Sequence, residues 1–321
     1  MKIALVTPAP PRSRAGNRAT AARWSRLLRA AGHQVNVLEQ WGADDRPYDL
    51  MIALHAWRSA SSIAAFAKRF PDRALIVVLT GTDIYRFLHS RPDVTLASLY
   101  LASALIGLHD HVAHDIPAEF HAILHTVHQS ALPLPKSYPR PSVRAVTICV
   151  VGHLREEKDS LRTAEAARLL PTASRIRIIQ AGRAQTPDWA LAAQAQMQDN
   201  MRYSWLGEVS QKVIRRLYAQ SHAIVISSVM EGGANVVSEA CVAGLPIIAS
   251  DIAGNTGLLG QDYPGLFPAG DSAALAMLMA RFESDLAFRA ALTDRCRALG
   301  LRHTPEAEQA ALLAVIQGLN L

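Results

Sequence analysis

The sequence predicts an α/β protein built from two doubly wound domains. The chain has 321 residues, about twice the usual length of one domain, and half of its residues are hydrophobic. Short apolar runs alternate with segments of helical periodicity, which is typical of parallel sheets covered by helices. Only 19% of the residues are charged, which excludes disordered and small disulfide-stapled classes.

The alternation occurs twice, on either side of a proline-rich segment. Before it, short apolar runs predict strands at 3–7, 35–38, 50–54 and 74–79, and apolar residues at helical spacing predict a helix at 20–31. Four prolines between 133 and 141 predict a stiff linker. After it, the pattern predicts strands at 146–151, 176–181, 223–227 and 246–250, with helices at 162–170, 212–220 and 235–243. We therefore expect domains at 1–140 and 141–304 facing a central cleft, and a helix within 305–321.

The charge pattern indicates which classes of binding partner suit the chain. The formal net charge is +6, but the cations are scattered and aromatic residues make up only 6% of the chain, which argues against a nucleic-acid groove. Small anionic substrates fit this balance better. No apolar run is long enough to cross a membrane, and Cys149, Cys241 and Cys296 are far apart, so we expect a cytoplasmic protein that binds neither nucleic acid nor membrane.

The most informative segment is EGGANVVSE, residues 231–239, which follows a predicted strand and opens a helix. Gly232 and Gly233 let the backbone approach a ligand, and the amides of the first helical turn suit a diphosphate. Glu231 and Glu239 would repel a phosphate unless they bind hydroxyl groups. The alternative is an ordinary acidic helix start, which the helix dipole also favours.

The motif and its neighbours resemble the retaining glycosyltransferases of family 4, which have the GT-B fold of two Rossmann-like domains. The resemblance rests on Glu231 and Glu239 and on three further segments: CVAGLPIIASD at 241–251, VGHLREEK at 151–158 and YSWLGE at 203–208. Gly16 and Asn17 fall where the family has its amino-terminal glycine loop. The resemblance also implies that the carboxy-terminal helix crosses back to the first domain.

Carried over residue by residue, the resemblance implies a donor site in domain 141–304. Glu239 would bind the ribose hydroxyls of a UDP-sugar, Glu231 would contact the donor sugar as a catalytic residue, and Lys158 would neutralise the departing diphosphate. Gly207 would lie near the base. The other donor-binding residues would be Gly232, Gly233, Ala234, Asn235 and Val236. No cofactor is required and no metal is expected; the UDP-sugar is a co-substrate.

Two positions depart from the family pattern. The family's arginine after the first glycine of 151–158 is His153 here, and we expect Arg155 to substitute for it as a catalytic residue. The histidine before Gly-x-Asp is Thr80, so activation of a hydroxyl acceptor lacks its usual base. Guanidinium groups in the first half suit an anionic acceptor instead. The expected acceptor-binding residues are Arg12, Arg14, Gly16, Asn17, Arg18, Arg58, Thr80, Gly81, Thr82, Asp83 and Arg86.

The segments PAPPRSRAGNR at 8–18 and TGTDIYR at 80–86 resemble one branch, the selenosugar synthases of selenoneine biosynthesis. This resemblance implies that the chain joins selenophosphate to the anomeric carbon of a UDP-sugar, typically UDP-N-acetylglucosamine, with UDP and phosphate as co-products. It also implies a functional link to selenophosphate synthetase and to the next selenoneine enzyme. His55 is a candidate for removal of the phosphoryl group, or a packed histidine at a strand end.

Two other functions stay open on the sequence. One is a conventional family 4 transferase that uses a hydroxyl acceptor, and the other is an inactive protein that binds sugar nucleotides. A zinc site at His121, His125 and His128, which have helical spacing, is the less favoured interpretation, because no HExxH motif or nearby cysteine accompanies them.

Overall fold

The computed structural model describes residues 1–11, 13, 15–42 and 46–319. The chain divides into two compact units: unit 1 contains Met1–Ser130 with Pro305–Leu321, and unit 2 contains Ala131–Thr304. Each unit contains one six-stranded parallel sheet covered by helices, which confirms the predicted α/β class. The division falls between Ser130 and Ala131, ten residues before the boundary predicted after residue 140.

Unit 1 contains the first six strands. They are β1 (Lys2–Val6), β2 (Gln34–Leu38), β3 (Leu50–Leu54), β4 (Ala74–Val78), β5 (Ala104–Gly107) and β6 (Leu124–Thr126). Its first four helices are α1 (Gly16–Ala30), α2 (Ala60–Arg69), the single turn α3 (Leu88–Ser90) and α4 (Pro92–Tyr100). The strand order is β2-β1-β3-β4-β5-β6, and every residue of β3, β4 and β5 is buried, as in a sheet covered on both faces.

Unit 2 repeats this architecture. Its strands are β7 (Val146–Val151), β8 (Ile176–Ala181), β9 (Tyr203–Trp205), β10 (Ala223–Ile226), β11 (Ile247–Ser250) and β12 (Leu266–Phe267). Its helices are α5 (Arg162–Arg168), α6 (Pro187–Asp199), α7 (Gln211–Gln220), α8 (Asn235–Ala243), α9 (Ala253–Leu259), α10 (Ser272–Ser284) and α11 (Leu286–Gly300). The order β12-β11-β10-β7-β8-β9 runs outward in both directions from β7 and β10.

The last helix, α12 (Pro305–Gln317), belongs to unit 1. Leu312, Val315 and Ile316 are buried in the unit 1 core. The buried carboxylate of Glu308 accepts hydrogen bonds from Arg23 Nε at 2.8 Å and from Trp24 Nε1 at 2.6 Å. These contacts fasten the end of the chain to α1.

The start of α1 differs from the sequence prediction. The helix was expected from residue 20, with Gly16, Asn17 and Arg18 in a loop, but these three residues form its first turn. Glycine and asparagine are weak helix formers, and Ala15 provides no side-chain cap, so the sequence carries no start signal there.

Among the described residues, no helix combines the length and apolar character needed to cross a membrane.

Candidate active site

The candidate site of unit 2 lies at the carboxyl ends of β7 and β10. These adjacent parallel strands are the point from which the strand order runs outward in opposite directions. Such switch points leave a crevice beyond the strand ends, where α/β sheets bind ligands. The loops that follow the two strands carry Lys158 and Glu231.

The two loops are joined by backbone hydrogen bonds. The amides of Val229 and Met230 donate to the carbonyl oxygen of Glu157, at 3.0 and 3.3 Å. The Ser227 hydroxyl donates to the carbonyl oxygens of Lys158 and Asp159, at 3.2 and 3.0 Å. The segment around Lys158 is therefore held against the segment that leads into the EGG motif.

Lys158 and Glu231 form an ion pair through Nζ and Oε1. The side chains are 19% and 8% exposed, so water screens the pair only in part. The Ser228 hydroxyl donates to the same carboxylate oxygen at 2.6 Å. The stem of Lys158 extends over Gly152, where an added Cβ would lie 3.7 Å from Lys158 Cε. The sequence thus placed both residues in one site, whereas the contribution of Ser228 was missed.

Gly254 lies in α9 and allows this helix to approach the backbone of Glu231 closely. A Cβ at this position would lie 2.1 Å from the Glu231 carbonyl oxygen, so α9 can approach Glu231 only with glycine there. Asn255 Nδ2 donates to Ser250 Oγ at 3.0 Å, and the Ser250 hydroxyl donates to the Ser228 carbonyl oxygen. This chain of contacts supports the loop that carries Glu231.

The EGG motif leads directly into α8. Gly232 is buried, and the N-cap residue of the helix is Ala234, whose side chain cannot accept a hydrogen bond from the first turn. That turn, which starts with Asn235 and Val236, has no acidic residue to offset the positive end of the helix dipole. The arrangement favours an anion at this end of α8.

Glu239 lies about one turn after Asn235, the first residue of α8. Two residues of α7 contact its carboxylate. The Tyr218 hydroxyl donates to Oε2 at 2.6 Å, and Gln211 Nε2 donates to Oε1 at 3.3 Å. Burial, and then the charge of Glu239, raise the pKa of Tyr218 well above its ordinary value. Tyr218 was not predicted as a site residue, because nothing in the local sequence marks its contact with another helix.

The remaining predicted donor residues lie on the same strand-end edge. Arg155 precedes the short 3-10 helix Glu156–Lys158, with Nε 3.7 Å from Glu157 Oε2. His153 Nδ1 accepts from the Arg183 amide at 3.2 Å. Gly207 accepts from the amide of Gly182 at 2.8 Å. The structure thus brings Lys158 and Glu231 into contact and places Arg155 beside Glu157 instead.

In unit 1, Asp83 is the anchor of the segment after β4. Its fully buried carboxylate accepts from the amides of Thr80 at 3.0 Å, Gly81 at 2.7 Å and Ala56 at 3.1 Å. Gly81 has φ +116°, a conformation that favours glycine. Asp83 also begins a π-helical turn, Asp83–Phe87. The carboxylate thus ties the segment after β4 to the segment after β3.

His55, the residue after β3, is buried and has a strained φ of +76°. Its Nδ1 accepts from the Arg58 amide at 3.1 Å, which leaves the proton on Nε2, 2.9 Å from Thr82 Oγ1. Burial lowers its pKa, and Asp83 opposes that effect in part. The geometry supports the packed alternative for this histidine, because both ring nitrogens have protein partners.

A second buried chain of polar groups in unit 1 was not predicted. His109 Nδ1 accepts from the His111 amide at 3.2 Å, so Nε2–H donates to the Tyr85 oxygen at 2.9 Å. The Tyr85 hydroxyl in turn donates to Asp115 Oδ2 at 3.0 Å. Burial lowers the pKa of His109 to about 4. This chain fastens the π-helical turn to the segment after β5.

The predicted acceptor arginines are distributed over unit 1. Arg18 is half-buried in the first turn of α1, Arg58 is exposed after β3, and Arg86 is half-buried in the π-helical turn. Arg12 and Arg14 lie outside the described residues. The described residues therefore include three of the five predicted acceptor arginines, on three separate segments of unit 1.

The three histidines with helical spacing do not share a helix. His121 lies in the 3-10 segment Ala118–Ile123, His125 in β6 and His128 after it, where its Nε2 lies 2.9 Å from Asp110 Oδ1. Within the ranges that the structure describes, no cluster of histidine, cysteine and acidic side chains is arranged to hold a metal ion. A spacing of i, i+4, i+7 places side chains on one face only in an α-helix, so it does not bring these three histidines together here.

Comparison with solved structures defines the fold. HepE of Anabaena, solved with UDP and glucose, matches with a TM-score of 0.78 and 16% identity, over 99% of this chain and 100% of that chain. Sucrose-phosphate synthase of Thermosynechococcus elongatus matches with a TM-score of 0.80 and 15% identity, over 98% of each chain. TarM of S. aureus matches with a TM-score of 0.64 and 14% identity, over 84% of this chain and 55% of that chain. The chain has the GT-B fold.

The family comparison is more specific than the fold. Residues 140–298, within unit 2, match the family described as Glycosyl transferases group 1. The comparison with curated proteins gives no match. The family match and the GT-B fold together support a glycosyltransferase.

Proposed function

We propose that the chain transfers a sugar from a UDP-sugar. The observation that carries this proposal is the ion pair at the switch point of unit 2 between Lys158, in the loop after β7, and Glu231, in the loop that enters α8. A cation and helix amides suit a diphosphate leaving group, and a carboxylate among them suits sugar hydroxyls. The structural neighbour HepE, solved with UDP and glucose and also with UDP-glucose, supports the same class of donor.

The donor-side roles follow from this proposal. Lys158 offsets the charge that develops on the diphosphate, Glu231 binds the donor sugar and Glu239 binds the ribose. Arg155 supplements Lys158. The backbone from Gly232 to Val236 holds the diphosphate and sugar hydroxyls, and Gly207 lies near the base.

For the acceptor, we propose selenophosphate. Thr80 replaces the histidine that would serve a hydroxyl acceptor, while His55 and Asp83 are engaged with protein groups. Selenophosphate is already ionised, so it needs cations more than a base. Arg18, Arg58 and Arg86 would supply them, together with Arg12 and Arg14.

The proposed reaction uses UDP-N-acetylglucosamine and water. Selenium attacks the anomeric carbon and forms the Se–C bond, while the bond from that carbon to the diphosphate oxygen breaks and its electron pair leaves with UDP. Water then cleaves the P–Se bond and releases phosphate, which leaves the 1-selenosugar. Selenophosphate synthetase would supply the acceptor, and the next selenoneine enzyme would consume the product.

The test is to incubate the full chain with UDP-N-acetylglucosamine and enzymatically made selenophosphate, and to measure product masses and released UDP. A selenosugar formed in equal amount to UDP supports the whole proposal. Transfer to the hydroxyl group of a sugar acceptor but not to selenophosphate contradicts the proposed acceptor and favours a conventional transferase. UDP binding without turnover on either acceptor contradicts the enzyme assignment and favours the inactive binding protein.

A further inference from the structure

Glu239 is contacted from one face of α7 by two donors. Gln211 and Tyr218 are seven residues apart, two helical turns, so they lie on the same face of the helix. Tyr218 donates to one carboxylate oxygen at 2.6 Å, and Gln211 donates to the other at 3.3 Å. Two donors on different oxygens restrict rotation of the carboxylate plane.

The two contacts differ in strength. The Tyr218 side chain is 2% exposed, and its hydrogen bond to a charged acceptor is short. Its raised pKa keeps the phenol protonated, so it stays a donor across the working range of pH. Gln211 is exposed and its hydrogen bond is longer, so water competes with it.

We propose that Tyr218, assisted by Gln211, is a positioning residue that orients the Glu239 carboxylate for the adjacent ribose hydroxyls of the UDP-sugar. This inference rests on the proposed function, which assigns the ribose to Glu239. A carboxylate has about four acceptor positions, so these two hydrogen bonds alone do not exhaust its capacity for hydroxyl groups. Neighbouring hydroxyls of one ring are fixed relative to each other, so they bind well only to a carboxylate held in a matching plane.

The experiment measures the dissociation constants of UDP and 2′-deoxy-UDP by calorimetry, for the full chain and its variants. A site that hydrogen-bonds a hydroxyl discriminates against the analogue that lacks it. We expect Tyr218→Phe to weaken UDP binding about tenfold, the scale of a hydrogen bond to a charged group. Binding of 2′-deoxy-UDP should weaken much less, because this nucleotide keeps only one of the two adjacent hydroxyls that the oriented carboxylate binds. Gln211→Ala should show the same pattern with a loss of about threefold, because its hydrogen bond is long and exposed.

The matched control is Tyr263→Phe. Tyr263 is another buried tyrosine of unit 2, and its hydroxyl donates to the Ile247 carbonyl oxygen at 2.8 Å. This variant also loses the hydrogen bonds of a buried tyrosine hydroxyl, which include one from the Ile247 amide, but none to Glu239. We expect it to retain the wild-type preference for UDP over 2′-deoxy-UDP.

The outcomes separate the inference from the function on which it rests. If Glu239→Ala keeps the full preference for UDP, the ribose assignment itself is wrong. If Glu239→Ala loses that preference while Tyr218→Phe and Gln211→Ala keep it, only the positioning role is wrong. Equal weakening of both nucleotides in Tyr218→Phe, or loss of the preference in Tyr263→Phe, would also contradict the positioning role. If Tyr218→Phe does not fold, Gln211→Ala, a surface change, still decides between these results.

Discussion

Lys158 presents a compact charge with three donor hydrogens, of which the hydrogen bond to Glu231 uses one. If the others meet the departing diphosphate, Lys158→Ala should lower kcat about a hundredfold or more, the usual cost of losing a preorganised charge partner in a transition state. The measurement is UDP release with the best acceptor found. UDP affinity should also fall, because the ground-state diphosphate is already charged.

Lys136→Ala is the control, since Lys136 is an exposed lysine of the linker. Equal kcat values for the two variants would show that Lys158 does not stabilise the departing diphosphate. A melting temperature near that of the wild type would show that the loss of activity does not come from unfolding.

Arg18 tests the acceptor side. If its guanidinium contacts an anionic acceptor, Arg18→Ala should raise the KM for that acceptor about tenfold and leave UDP affinity unchanged. Arg26→Ala is the control, because Arg26 is exposed two turns further along α1. Kinetic measurements with varied acceptor check the expectation, and an unchanged KM in Arg18→Ala would mean that the acceptor binds elsewhere.

What the sequence could predict of the site depended on how local the signal was. Glu231, the two glycines after it and Glu239 lie within nine residues, so their chemistry could be recognised as one motif. Ser228 lies three residues before that motif but carries no signal by itself. Tyr218 reaches Glu239 because α7 packs on α8, and such a contact between helices is not encoded in residue spacing.

At the scale of elements, the clearest agreement is in segments that contribute several buried apolar residues to the core. The strands Val146–Val151 and Ile176–Ala181 and the helix Asn235–Ala243 have the predicted bounds. Helix α6 (Pro187–Asp199) was not predicted, because Ala193 is its single buried residue and its sequence has no clear apolar face. The π-helical turn also had no signal, since it is fixed by Asp83 and by the buried contacts of Tyr85.

The packing of α9 against Glu231 predicts a large effect from one methyl group. In Gly254→Ala the new Cβ must move away from a carbonyl oxygen 2.1 Å distant, so either the helix or the EGG loop shifts. Overpacking of this kind costs about 1–3 kcal/mol. We expect a melting temperature several degrees lower and a loss of turnover with UDP-sugar.

The control for this prediction is Gly318→Ala. At that position the nearest atom, the Ala314 carbonyl oxygen, is 3.4 Å from the added Cβ. Its melting temperature and turnover should stay close to those of the wild type. Wild-type turnover in Gly254→Ala would show that the approach of α9 does not fix the position of Glu231.

Across the whole molecule, both sheets have a point where the strand order reverses, but the side chains beside that point differ between the units. In unit 1 the order turns outward from β1 and β3, and in unit 2 from β7 and β10. At the unit 2 switch point the ion pair has access to solvent, whereas beside the unit 1 switch point His55 and Asp83 are buried in hydrogen bonds to protein groups. The Lys158–Glu231 pair can thus meet a ligand, whereas His55 and Asp83 hold the segments after β3 and β4 in place.

Burial of His109 in unit 1 predicts that the molecule loses stability in acid. The pKa of His109 is lowered to about 4 by burial, against 6.5 in the unfolded chain, so between these values the unfolded chain binds the extra proton. The contribution of neutral His109 to the free energy of unfolding is fully present above pH 6.5. It is lost as the pH falls towards 4, and the loss is about 3 kcal/mol at most. In His109→Gln the amide nitrogen still reaches Tyr85 but does not titrate, so the free energy of unfolding should depend less on pH in this window. Urea unfolding at pH 7, 6, 5 and 4.5 measures it. The exposed His89→Gln serves as the control and should follow the wild type; a His109→Gln profile parallel to the wild type would show that the histidine does not cause the acid sensitivity.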